Sequence, residues 1–157
     1  MLEVRMYIKE LHANDELPWD LLLEADPSRE LVQEYLQKGE SFLAIEHDEV
    51  IGVIVLCYIE NETYEIKNIS VKENLQGKGI GSLLIQSAIE KAGQMNARFV
   101  EVGTGNSSIE ALLFYQKCGF RLDRIDHDFF VRNYSEKIFE NGIWCRDMVR
   151  LVYRLDK

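Results

Sequence analysis

Residues Gln76-Gly77-Lys78-Gly79-Ile80-Gly81 lie between an apolar, β-branched stretch, Ile66 to Val71, and an apolar-periodic one, Ile80 to Ala92. The order is strand, glycine-rich loop, helix. Glycines remove the side chains that would block an anion, and a helix N-terminus adds backbone N–H groups and partial positive charge. The pattern predicts a ligand that carries phosphate. A Walker A loop is absent, because no glycine pair spaced by four residues runs into Lys-Ser/Thr. The dinucleotide fingerprint G-x-G-x-x-G fails at its last spacing, since Gly77-x-Gly79-x-Gly81 is one residue short. That fingerprint also opens the first βαβ unit, whereas this loop lies mid-chain. The competing reading is a turn that caps a helix and binds nothing.

A second motif follows. Phe99-Val100-Glu101-Val102 reads as a strand, and Gly103-Thr104-Gly105-Asn106 as a loop after it. Ser107-Ser108-Ile109-Glu110 is a Ser-x-x-Glu capping box, which announces a helix carrying Ala111 to Phe120. Gln76-x-x-Gly79-x-Gly81, preceded by Asn68-Ile69-Ser70-Val71 and followed by Ala111-x-x-x-Tyr115-x-x-x-Gly119-Phe120, resembles the paired motifs of the GNAT-superfamily N-acetyltransferases. The resemblance is strongest from Glu65 to Arg121. It extends over the two preceding strands and fades over the first 40 and last 35 residues.

The resemblance implies a single domain over residues 1–157 and acetyl-coenzyme A as cofactor. The implied fold is α/β of the α+β type: a central, mostly antiparallel mixed sheet of about six or seven strands, about four flanking helices, and strands splayed at the cofactor site. It places the pyrophosphate on Gln76, Gly77, Lys78, Gly79, Ile80, Gly81 and Ser82, and the pantetheine on backbone groups of Ile69, Ser70 and Val71. An ordinary paired strand is the alternative for those three residues. Tyr115 corresponds to the family tyrosine whose hydroxyl lies near the thioester sulfur, and is the candidate general acid as well as a cofactor contact. A packed helix aromatic is the alternative. Glu101 is the candidate base, directly or through water, expected at the end of its strand; the alternative is a solvated carboxylate. The family asparagine stands seven residues before the tyrosine, whereas here Asn106 stands nine before it and Ser108 holds the seven-residue place. Asn106 is the expected cofactor contact, with Ser108 the alternative.

The rest of the chain bounds the partners. A chain of 157 residues with 46% hydrophobic content can bury a full core. The net charge of −9 argues against nucleic acid and fits an anionic membrane poorly. No apolar run approaches the roughly 18 residues of a membrane span. The N-terminus lacks the basic-then-apolar layout of a signal peptide. Cys57, Cys118 and Cys145 are expected as free thiols in a reducing cytoplasm, and His12, His47 and His127 form no ligand cluster, so no metal is expected.

Val4 to Ile8 reads as an opening strand and Leu17 to Ala25 as a helix. Asp26-Pro27 is expected to cap and open a second helix, with Leu31, Val32, Tyr35 and Leu36 on its inner face. Phe42 to Ile45, Val50 to Ile59 and Tyr64 to Val71 read as an antiparallel meander, turning at His47-Asp48-Glu49 and Glu60-Asn61-Glu62. Phe120 to Ile125 and Met148 to Leu155 read as the last strands.

The segment Asp126 to Asp147 is too long and aromatic for a plain hairpin, and resembles a stretch of an uncharacterised bacterial acetyltransferase subgroup. Acidic groups among aromatics suit a cationic amine, with Asp126, His127, Asp128, Phe129 and Tyr134 as candidate contacts. A helical flap or a dimer contact is the alternative. The expected reaction is acetyl transfer to a primary amine of a small cationic molecule, by direct attack through a tetrahedral intermediate. A protein N-terminus or lysine is the second acceptor class, because the loop and Asn-Ile-Ser-Val stretch look like those of ribosomal-protein alanine acetyltransferases. A non-catalytic acyl-coenzyme A sensor is the alternative of another kind. A homodimer is expected from the family.

Overall fold

The computed structural model describes residues 6–155. Residues up to Ala97 make one unit and those from Arg98 a second. The opening strand predicted from Val4 lies partly outside the described residues; within them β1 is Tyr7–Glu10.

The first unit contains the predicted meander. Strands β2 (Glu40–Glu46), β3 (Glu49–Glu60) and β4 (Thr63–Val71) follow β1 in the order β1-β2-β3-β4, each antiparallel to its neighbour. Both turns place two residues at positive φ, His47 (52°) with Asp48 (62°) and Asn61 (49°) with Glu62 (58°). Such turns match the right-handed twist of paired strands. Helices α1 (Trp19–Ala25) and α2 (Arg29–Lys38) cover one sheet face, where Leu21, Leu22 and Val32 pack with Leu43, Val53, Val55 and Cys57. Helix α3 (Ile80–Gln94) lies on the other, against Gly52. A Cβ on Gly52 would stand 3.0 Å from Leu84 and 3.4 Å from Ile80, so the glycine lets the helix approach the strand. Burying a side chain such as Leu84 stabilises by about 2 kcal/mol.

Two local expectations are corrected. Ser28, not Asp26, is the N-cap of α2: its hydroxyl accepts from Leu31 N at 3.3 Å, while Asp26 Oδ1 accepts from Ser28 N at 3.1 Å. Leu31 is exposed, leaving Val32 as the buried residue and Tyr35 and Leu36 as its partly buried neighbours.

In the second unit, β5 (Phe99–Gly105), β6 (Arg121–Asp126) and β9 (Met148–Arg154) pair antiparallel in the order β5-β9-β6. Helix α4 (Ile109–Lys117) stands between β5 and β6 in the chain. The long segment folds as helix α5 (Phe129–Asn133) and a hairpin, β7 (Ile138–Glu140) with β8 (Ile143–Cys145). Gly103 and Gly105, expected in a loop, continue β5. A Cβ on Gly103 would come within 2.7 Å of Met148 Sδ, and one on Gly105 would collide with Cys145 Sγ. These glycines serve close packing rather than a turn. Glu101 therefore stands mid-strand rather than at its end.

Candidate active site

In the first unit the candidate anion loop begins where β4 ends. A 3-10 turn, Glu73–Leu75, carries the chain round, and Gln76 Nε2 donates to Val71 O at 3.1 Å, tying the loop to the strand. Gly77 (φ +79°) and Gly79 (φ +89°) take backbone conformations that disfavour a side chain, and a Cβ on either would meet nothing within 4 Å. Gly79 is the N-cap of the 15-residue α3 and offers no side-chain cap. The first-turn amides of an α-helix have no intrahelical acceptor, so those of Ile80 and Gly81 are directed at whatever lies before the helix. The Ile80 side chain is buried and anchors the turn, while Lys78 and Ser82 are exposed. This cradle fits a phosphate anion.

Ile69, Ser70 and Val71 pair along β3 with Ile54, Val53 and Gly52. A bulge at Lys67 sets Asn68 opposite Val55 and Ile66 opposite Leu56, turning Asn68 and Ser70 toward the α1–α2 face. Asn68 is buried there. Its Nδ2 donates to Leu22 O at 3.0 Å and to the Tyr35 hydroxyl at 2.9 Å, and that hydroxyl donates to Asp26 Oδ2 at 3.2 Å. Burial pushes the Tyr35 phenol up, so it remains a donor. Asn68 Oδ1 is buried without a hydrogen-bond partner among the described residues. The chain Asp26–Tyr35–Asn68 pins both helices to β4, and no short motif announces it.

In the second unit Tyr115 is 7% exposed on α4, packed against Phe120 at 6.0 Å between ring centroids. Burial, with a smaller contribution from Cys118, pushes its phenol up to about 12. The hydroxyl is therefore protonated at neutral pH and can act as an acid but not as a base. Glu101 Oε1 accepts from Arg124 Nη2 at 3.0 Å. The pair spans β9, since Glu101 stands opposite Val152 and Arg124 opposite Arg150. Arg124 was not among the expected site residues, and nothing local in the sequence links positions 23 residues apart.

Asn106 is held by the turn before β9. Its Oδ1 accepts from Arg146 N at 2.9 Å and Asp147 N at 3.0 Å, and its Nδ2 donates to Trp144 O at 3.2 Å. The expected Ser107-x-x-Glu110 capping box does not form: the N-cap is Ser108, one residue later and without a side-chain cap, and the Ser107 and Ser108 hydroxyls donate to Glu140 Oε1 at 3.4 and 2.8 Å. Asn141 Nδ2 donates to Ser107 O at 2.8 Å. The β7–β8 hairpin thus docks on the loop between β5 and α4. Its Asn141-Gly142 turn, at φ 54° and 74°, is the signal that could have revealed the hairpin.

The acidic and aromatic groups of the same segment largely satisfy one another. Asp128 pairs with Arg146 at 2.7 Å, which lowers its pKa below the usual carboxylate range, and Asp126 pairs with Arg132 at 2.8 Å. Arg146 and Lys137 lie 4.3 and 4.6 Å from the Trp144 ring centre. Phe129 and Tyr134 both pack on Phe130. His127 is exposed, with Nδ1 3.7 Å from Asp147 Oδ1.

Comparison with known proteins bears on the same residues. A model of the acetyltransferase (GNAT) family matches residues 8–120. YvbK, an uncharacterised N-acetyltransferase of Bacillus subtilis, is 57% identical over 151 residues, covering 96% of both chains. A crystal structure of a Bacillus subtilis acetyltransferase in complex with CoA is 54% identical, covers 96% of this chain and 99% of that one, and superposes with a TM-score of 0.91. A GNAT family acetyltransferase from Elizabethkingia anophelis with acetyl-CoA bound is 47% identical, covers 96% and 98%, and has a TM-score of 0.90.

Proposed function

The chain belongs to the GNAT family of acetyltransferases, and on that premise we propose that it transfers an acetyl group from acetyl-CoA to a primary amine of a small cationic molecule. The observation that carries the cofactor assignment is the open double-glycine cradle at the start of α3. In this reading the segment from Gln76 to Ser82 receives the pyrophosphate, and Ile69, Ser70 and Val71 receive the pantetheine through backbone groups. Asn106, rather than Ser108, makes the further contact. The Ser108 hydroxyl gives its proton to Glu140, whereas an amide carries two hydrogens and Asn106 spends one on Trp144.

Acetyl-CoA, when bound, supplies an activated acyl thioester. The protein's part is to hold protons in place. Tyr115, with its raised pKa, donates to the leaving thiolate. Glu101, oriented by Arg124, takes a proton from the substrate ammonium, directly or through water, so that the neutral amine can attack. The cationic class rests on the net charge of −9, which raises the local concentration of cations around the protein. The pairing of Asp126 and Asp128 with arginines leaves less of that attraction to the 126–147 segment than to the surface as a whole.

A thiol-release assay with acetyl-CoA tests the reading, run on polyamines, aminoglycosides, neutral amines and N-terminal peptides beside a thermal-shift titration with CoA. Turnover confined to cationic small amines supports it. Turnover confined to peptides replaces the acceptor with a protein N-terminus or lysine. A CoA shift without turnover on any amine replaces the enzyme with a sensor.

A further inference from the structure

We propose that the acceptor is an α-amino acid, with its α-ammonium at Glu101 and its carboxylate held by the guanidinium of Arg150. This acceptor presupposes the role given to Glu101 above. Glu101 stands opposite Val152 and Gly103 opposite Arg150, while across β9 Arg121 stands opposite Val152 and Arg124 opposite Arg150. Residues two apart on a strand share a face, so these side chains lie together, as the bond between Arg124 and Glu101 requires. The opposite face carries the buried Val100, Val102 and Leu151. Arg154 and Asp126 complete the charged face, which holds four arginines against two carboxylates. The chain as a whole has a net charge of −9, so this positive surplus is local, and it adjoins the carboxylate that meets the substrate ammonium.

Gly103 fixes where the second charged group stands. A Cβ at this position would lie 2.9 Å from Arg150 Nη1 and 3.3 Å from Arg150 Cζ. The guanidinium is therefore folded over β5, in the space that a side chain at 103 would fill. That is the next position on the same face as Glu101, about 7 Å along the strand. The Glu101 side chain is 14% exposed and Arg150 is half-buried, so charges paired here are less screened than on open surface. A guanidinium has five N–H donors in a planar fork that matches a carboxylate. An ammonium and a carboxylate one carbon apart, each about 2.8 Å from its partner, bridge a gap of this length. A polyamine brings only like charge to Arg124 and Arg150, and like charges brought together are disfavoured. A second amine on the side chain keeps the amino acid within the cationic class. The reaction is the one already proposed. The α-ammonium gives one proton to Glu101, the C–N bond forms as the thioester C–S bond breaks, and the thiolate takes the Tyr115 proton. The second nitrogen proton restores the tyrosine, and the one on Glu101 passes to solvent.

Thiol release from acetyl-CoA, compared for lysine with cadaverine and for ornithine with putrescine, tests this. Each pair shares its amine spacing and differs by the α-carboxylate. The full-length wild type is expected to favour the amino acid by about 10–100-fold in kcat/KM and to acetylate the α-nitrogen, as read by mass spectrometry of the product. Arg150→Gln, checked for folding by circular dichroism, is expected to bring that ratio to about one, chiefly by raising KM for the amino acid. Arg150→Lys keeps the charge without the fork and is expected to fall between the two. Equal use of the two members of each pair by the wild type overturns the proposal, and so does acetylation of the side-chain nitrogen. A ratio that folded Arg150→Gln retains overturns it as well. Turnover confined to amines without a carboxylate overturns this acceptor and leaves the proposed reaction standing, whereas no turnover on any amine overturns both.

Discussion

At the scale of single residues, burial decides what Tyr115 can do. A phenol held up at about 12 keeps its proton through the neutral range. Removing the hydroxyl in Tyr115→Phe is expected to lower kcat at least about tenfold while leaving the CoA-induced thermal shift unchanged. The sign of the pH effect follows. An acid group with a raised value stays protonated below that value, so wild-type kcat should show no loss from Tyr115 as pH rises from 7 to about 10, the ordinary phenol range. A pH–rate profile checks this, and a fall in kcat below pH 9 that disappears in Tyr115→Phe would contradict it. Asn106 works differently, because its carboxamide oxygen satisfies two backbone N–H groups at once. Asn106→Ala strands both donors and is expected to cost about 2–4 kcal/mol in urea unfolding. Asn106→Asp keeps the acceptor for both N–H groups but sets a carboxylate oxygen against the Trp144 carbonyl oxygen, and is expected to cost less than Asn106→Ala, about 1–2 kcal/mol. Equal losses in the two variants would mean that the turn before β9 does not depend on that oxygen. Tyr115 could be singled out from its motif, whereas the Arg124 partner of Glu101 could not, since their contact exists only once β9 lies between two strands distant in the chain.

At the scale of elements, the informative unit is the loop that starts α3. Its glycines do two things, supplying positive φ and leaving the approach clear. Gly79→Val offends against both, and is expected to abolish most of the CoA-induced thermal shift. A shift within a degree of wild type from folded Gly79→Val protein would remove the loop from the cofactor site. Glycine elsewhere misleads as a local signal. Gly103-Thr104-Gly105 reads as a loop, yet forms strand, because Met148, Arg150 and Cys145 crowd the space where side chains would stand. The capping box fails because the N-cap is Ser108 rather than Ser107, and both serine hydroxyls are turned to the Glu140 carboxylate of a hairpin 33 and 32 residues away. Hydrogen bonds to an ionised acceptor are stronger than neutral ones.

At the scale of the whole molecule, the net charge of −9 sets how charged partners approach. If the acceptor is cationic, kcat/KM for it is expected to fall severalfold as ionic strength rises from about 0.01 to 0.15 M, with the value for a neutral amine nearly unchanged. Stopped assays at fixed pH over a salt series check this, and parallel slopes for the two amines would show that the surplus charge only solvates the surface. None of the described helices is long and apolar enough to cross a membrane.

The sequence by itself determined the family, the meander, and the helix that follows a glycine loop. Those are properties of short windows: hydrophobic period, turn residues, and spacing within a motif. Only the tertiary structure decided which polar groups are already spent. Asp126 and Asp128 read as open sites for a cation, but each is held by an arginine several positions away. Asn106 reads as a ligand contact, but most of its hydrogen-bonding capacity secures a turn 40 residues on. A polar side chain's availability depends on what the fold brings within about 3 Å of it, and no local pattern carries that information.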